Sequence, residues 1–190
     1  MAARLGQILE GITENLNSRK FMFISADQAK FYDDPLMFGG AFLVTFSEGT
    51  KQAVFEMGEA GRCYACGRWT SCVFHCMRAV EFGLRRLFRI AGARLPIHNQ
   101  VRYQIEYAEW QAVIDQIKRK IAETRRRSRG ARKEKRLQFF SDLAERCEYM
   151  KDIWRNEVSH TRRVYTESEA LSVILRVKGF MELVSSSPPK

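Results

Sequence analysis

The chain has 190 residues, enough for one ordinary domain that buries its own core. Hydrophobic residues at 45% and aromatics at 12% exclude a disordered chain, and four prolines with twelve glycines exclude collagen-like and low-complexity classes. The formal net charge is +10, set by 32 basic against 22 acidic residues, and it is unevenly spread. No apolar run approaches the ~20 residues of a membrane span, so no membrane partner is expected. Glu10 stands where a signal peptide would still be apolar, so the first residues do not read as a secretion signal. Five cysteines, an odd number without an export signal, fit reduced thiols and a cytoplasmic location.

Almost every periodic segment reads as helix. Leu5, Ile8, Leu9, Ile12 and Leu16 recur at steps of three and four along one helical face. The stretch 18–46 is aromatic-rich and irregular, with Asp33-Asp34-Pro35 and Gly39-Gly40 as breakers. Within it, 41–46 is open to a short strand, though a strand there would lack a partner. Ser47 is a candidate N-cap for a helix faced by Val54, Met57 and Ala60, and Thr70 or Ser71 for the long helix that follows. In that helix Val73, Met77, Val80, Leu84, Leu87 and Ala91 form a buried stripe, ended by Gly92 and Pro96; His98, beside Asn99, reads as loop. Trp110, Val113, Ile114, Ile117 and Ile121 mark the next helix, and 128–130 the next turn. Phe140, Leu143, Cys147, Met150, Trp154 and Val158 then step by 3-4-3-4-4. Thr166-Glu167-Ser168-Glu169 is a capping box opening the last helix, faced by Ala170, Leu171, Ile174, Val177, Met181 and Val184. These elements predict one all-α domain over 1–184, a mostly antiparallel helical bundle with an N-terminal extension to about residue 46, and a disordered tail over 185–190.

The positive charge is concentrated. Between Lys118 and Arg136 eleven basic residues face two acidic ones, a net of +9 in nineteen residues, so the other 171 carry about +1. Such a block is an electrostatic footprint for phosphate, and Lys118, Arg119, Lys120, Arg125, Arg126, Arg127, Arg129 and Arg132 are candidate RNA-binding residues. A solvated hairpin, or contact with an acidic protein or lipid surface, are the alternatives. The block holds no aromatic residue, which favours contact with a nucleic-acid backbone over stacking on bases.

The segment 152–160 carries the candidate chemistry. On a regular helix Asn156 and His160 share a face, about 40° apart, whereas Arg155 stands about 140° from His160. The arginine and histidine can address one phosphate only if the helix ends near Ser159. Histidine moves protons near neutrality, arginine is a permanent fork for phosphate oxygens, and an amide orients either. Those are the parts for metal-free attack of a ribose 2′-hydroxyl on its own phosphodiester. The same residues also suit a plain helix end, where cations favour the dipole.

The run Arg155-Asn156-Glu157-Val158-Ser159-His160 resembles the signature of the HEPN superfamily, an arginine, a polar residue, a short spacer and a histidine. Tyr165 to Ala170, opening the last helix, and Arg68 to Glu81 upstream are similar to a group of uncharacterised bacterial HEPN-like proteins. The resemblance spans roughly residues 47–184. It departs after the histidine, where many members carry a small residue and this chain has Thr161-Arg162-Arg163. The resemblance implies a HEPN-like helical bundle that dimerises, and a metal-independent endoribonuclease needing no cofactor. Members of this kind are often toxins or antiviral defence effectors, with an antitoxin or defence-system partner. It would make His160 general acid or base, give Arg155 the transition-state charge, and let Asn156 orient the pair; Arg162 and Arg163 would add RNA contacts. Some members only bind RNA, nucleotides or proteins.

His75, Arg78 and Glu81 fall at three-residue steps and are read as a core polar network or as support for the site, with Glu81 holding Arg155 or Arg78. Cys63, Cys66, Cys72, His75 and Cys76 could bind zinc, but five residues separate Cys66 from Cys72 and both flanks look helical, which argues against a zinc knuckle; no metal site is assigned. Gly-rich phosphate loops, Gly-x-Ser-x-Gly elbows and His-Glu-x-x-His pairs are missing from the sequence, which lowers the case for an NTPase, hydrolase or metalloprotease.

Overall fold

A computed structural model of the chain describes residues 2–20, 22–34, 40–47, 51–98, 101–102, 104–127, 130–160, 163–186 and 188. The helices are α1 (Ala2–Asn17), α2 (Ala26–Asp33), α3 (Gly40–Ser47), α4 (Lys51–Ala65), α5 (Trp69–Ala91), α6 (Trp110–Arg127), α7 (Ala131–Met150), α8 (Asn156–Ser159) and α9 (Glu167–Ser185). A π-helical turn, Lys151–Arg155, joins α7 to α8. Between α5 and α6 a two-residue antiparallel pair sets β1 (Ile97–His98) against β2 (Val101–Arg102), so His98 lies opposite Val101 rather than in open loop. The protein is an all-α bundle.

Helix α5 is the axis of the fold. It packs against α4, α6, α7, α9 and the α8 end of the π turn. Its stripe from Val73 to Leu87 is buried as its period requires. Phe42, Met57, Leu84, Ile114, Leu143 and Phe180, from six different helices, meet in one core, each fully buried and worth about 1.5–3 kcal/mol of transfer free energy. Helix α4 folds back on α5 through a tight turn. Gly67, at φ 68°, supplies the left-handed residue, and Arg68 N–H donates to Cys63 O at 2.8 Å. Gly92, also at φ 68°, closes α5 by donating to Arg89 O and Phe88 O. Helices α5 and α9 approach closely at Gly83, and Arg86 Nε ties them by donating to Val184 O at 2.9 Å.

Several local readings change. The segment open to a strand is helix α3, whose Phe42 and Phe46 are buried, and Phe31 of α2 joins the same core. Ser47 closes α3, and the next helix begins at Lys51. Thr70 lies inside the first turn of α5, where its hydroxyl accepts from Tyr165 N–H at 3.1 Å instead of capping its own helix. Ser185 belongs to α9: it is buried and its hydroxyl donates to Met181 O at 2.6 Å. The capping box forms as read, with Thr166 Oγ1 accepting from Glu169 N–H and Thr166 N–H donating to the Glu169 carboxylate. The periodicity of α1 is helical, yet its apolar face is open. Leu5, Ile8, Leu9, Ile12 and Leu16 are between 48% and 60% exposed.

Candidate functional site

The helix that carries the motif is not uniform. Met150, Trp154 and Val158 are all buried, at steps of four. Four residues advance a regular helix by about 400°, so two such steps in succession drift by roughly 80° off the core. The wide turn at Lys151–Arg155 absorbs this drift: Asn156 N–H donates to Lys151 O, five residues back. The helix then stops at Ser159, and His160 leaves it at φ −105°, ψ 16°. That end lies where the sequence requires it if Arg155 and His160 are to address one phosphate. Arg155 and Asn156 are half-buried on the segment facing α5, and His160 is exposed beyond it.

On the other side of this segment Trp154 meets Tyr149 edge-on, 5.4 Å between ring centres, and the Arg176 guanidinium lies over Tyr149 at 5.7 Å. These residues, with Arg146, Asp142 and Glu145, line a groove of about 490 Å³ between α7 and α9. It puts an exposed aromatic ring next to two arginines, a combination the basic block itself lacks.

His75 and Arg78 serve a different carboxylate from the one expected. Glu56 of α4 is 4% exposed and takes both: His75 Nδ1 lies 2.7 Å from Oε2, and Arg78 Nε donates to Oε1 at 2.6 Å. Phe74 flanks the pair, edge-on to His75 and under the Arg78 guanidinium. Glu81 pairs with Arg85 one turn on, not with Arg78 or Arg155. The polar network exists, and it welds α4 to α5. Its key member, Glu56, was missed because it directly precedes Met57 on a helix marked by its apolar face.

The basic block folds into the α6–α7 hairpin. Arg119, Arg125, Arg126 and Arg132 are exposed, Lys120 is half-buried, and none of these five pairs with a carboxylate among the described residues. Lys118 is the exception, donating to Glu148 Oε2 at 2.5 Å. Arg127 ends α6, while Arg129 and Arg162 lie outside the described residues, as does most of the turn read at 128–130. Arg163 is taken up by the start of α9. It pairs with Glu169 and lies 5.2 Å from the centre of the Tyr165 ring. With the amide and hydroxyl of Thr166 as the larger cause, this pairing holds the Glu169 carboxyl below its usual range.

Cys63 lies in α4, Cys72 and Cys76 in α5 and Cys147 in α7, and Cys66 stands in the turn after α4. Cys72, Cys76 and Cys147 are buried, Cys63 and Cys66 half-buried. Burial pushes the thiols of Cys63, Cys76 and Cys147 up, with neighbouring Cys72 adding to the first two. His75 turns to Glu56, and among the described residues no three His, Cys, Asp or Glu side chains are grouped to hold a metal ion. Among the same residues no helix is long and apolar enough to cross a membrane. Comparison with protein-family models, with curated proteins and with solved structures finds no match.

Proposed function

We propose that the chain is a metal-independent endoribonuclease of HEPN type, working as a cytoplasmic homodimer in a toxin or antiviral defence role, with an antitoxin or defence-system partner restraining it. The observation that carries the reading is the helix end at Ser159, which lets an exposed histidine follow a half-buried arginine and asparagine by one turn. In this mechanism His160 takes the proton of a ribose 2′-hydroxyl. The 2′-oxygen attacks the adjacent phosphorus, and the 5′-oxygen leaves with a proton, as the His160 of a second copy donates it. The products are a 2′,3′-cyclic phosphate and a 5′-hydroxyl. Arg155 offers two donors to the non-bridging oxygens, where charge builds in the transition state. Asn156 orients the arginine or the histidine. Arg119, Lys120, Arg125, Arg126 and Arg132, which pair with no carboxylate among the described residues, hold the rest of the strand by its phosphates.

Those same cations favour a second reading, an RNA- or protein-binding module of the same type without cleavage. One experiment separates the two: labelled tRNA and mRNA incubated in EDTA with the wild type and with His160→Ala. Cyclic phosphate ends that disappear in the variant, while RNA binding persists, support the nuclease. Equal cleavage by both proteins, or none by either, overturns it, and salt-dependent binding without cleavage supports the module.

A further inference from the structure

The basic hairpin is not a featureless charged face. Where α6 and α7 diverge toward the end of α5, they enclose a pocket of about 350 Å³. Its walls carry Lys120 and Thr124 from α6 and Lys133 and Arg136 from α7, and its floor is Ile121, Leu137 and Phe140, each buried. Among the described residues no carboxylate lines it. Three cations thus converge over an apolar base, where a lowered local dielectric strengthens their pull on an anion. Two of them have their position fixed: Arg136 lies over the Phe140 ring at 5.6 Å, and Lys133 Nζ donates to Arg125 O at 3.3 Å, on the last turn of α6. Lys120 also borders a second depression of about 400 Å³, with Gly92, Arg94, Gln116, Arg119 and the carboxylate of Glu123, so it stands between two basins; among the described residues, only the first has cations as its sole charged lining. Drug-sized and cofactor pockets begin at about 300 Å³ and are mostly apolar with a few converging polar groups, a description this pocket meets.

We propose that this pocket binds a terminal phosphate, the monoester end of a nucleic-acid strand or of a free nucleotide. A dianion balances converging cations better than the single charge of an internal phosphodiester. A terminal group also needs one way in, which suits a pocket walled by helices on both sides, while the apolar floor receives the sugar or base. The proposal shares the basic face with the function proposed above but requires no cleavage.

The test measures binding of a 12-nucleotide RNA with a 5′-phosphate, the same RNA with a 5′-hydroxyl, and ATP, in EDTA. The wild type is expected to prefer the phosphorylated strand at least fivefold, or to bind ATP saturably; the first result assigns the site to strand ends, the second to free nucleotides. Lys120→Gln/Arg136→Gln should abolish whichever preference is found. Lys135→Gln/Arg146→Gln removes the same charge from exposed positions of α7 outside the pocket and should retain it. Lys120→Arg guards against misfolding, since it keeps the charge and should keep the preference within twofold. Absence of both signals in the wild type, or equal loss in the two double variants, overturns the proposal. His160→Ala should leave the preference intact, so a failed nuclease assay and a failed pocket assay are separate results.

Discussion

Replacing Gly83 by alanine sets two opposed effects against each other, and the structure decides between them. Glycine inside a helix is about 1 kcal/mol less favourable than alanine, so propensity alone predicts a gain. The new methyl group would lie 2.6 Å from Phe180 Cε1, 2.8 Å from Met181 Sδ and 3.3 Å from Phe180 Cζ. Phe180 and Met181 are fully buried, so neither swings aside into solvent. Overpacking of that kind costs about 1–3 kcal/mol. The net expectation is a loss of up to about 2 kcal/mol, and up to about 8 °C in Tm for a chain of this length. Gly179 in α9 provides the control, since a Cβ there meets nothing within 4 Å. Gly179→Ala should gain up to about 1 kcal/mol and raise Tm by roughly 2–4 °C. Calorimetric melts of the two variants beside the wild type give the answer. A Gly83→Ala protein that melts above the wild type, by the margin expected of Gly179→Ala, would refute the close approach of α5 and α9 and the reasoning built on it.

Glu56→Ala should destabilise by about 2–4 kcal/mol in urea unfolding: two charge-assisted bonds of ~1.5–3 kcal/mol each are lost, less the rehydration of a half-exposed Arg78; a loss under ~0.5 kcal/mol would mean the carboxylate is not the weld between α4 and α5. The Tyr165 hydroxyl is buried and lacks a hydrogen-bond partner among the described residues, so Tyr165→Phe should hold or raise Tm, and a clear drop would reveal a further partner. Native thiol labelling should modify Cys63 and Cys66 before Cys72, Cys76 and Cys147; rapid labelling of Cys147, whose thiol burial pushes up, would contradict its packing. The Glu169 carboxyl is held low by Thr166 and then Arg163, so its contribution is complete above the ordinary carboxylate pKa and disappears as pH falls through the depressed value. Melts from pH 7 down to pH 3 should therefore show a shallower acid loss in Glu169→Gln, and parallel curves would count against the capping geometry.

Long stripes made the bundle legible, because a helix of fifteen or more residues repeats its apolar step often enough to be unambiguous. The start of α9 was legible as well, since a capping box is a local device. Helices α2 and α3 were not, because two eight-residue helices separated by Asp34-Pro35 and Gly39 are held by tertiary packing rather than by propensity. Glu56 shows the same limit for the polar network. Its burial depends on which turn of α5 lies opposite, and that follows only from how the α4–α5 turn folds. The hydroxyl of Thr70 resembled a cap but satisfies an amide 95 residues away. The 3-4-3-4-4 stripe did contain the π turn, in its two final steps of four. At α1, period identified the apolar face and said nothing of what covers it.

The π turn lets the motif helix take up the smallest change a gene can make to a protein's length. Removing one residue from Lys151–Arg155 would let the backbone close to ordinary helical pitch, and the two steps of four would become a four and a three, about 700° in all, so every later residue would stay within about 20° of its present direction. Asn156, Val158 and His160 would keep their aim, and α7 up to Met150 would keep its packing. A codon lost here is therefore absorbed by the turn and not passed on to the motif, so helix length at this point is a variable on which selection could act without rebuilding the core.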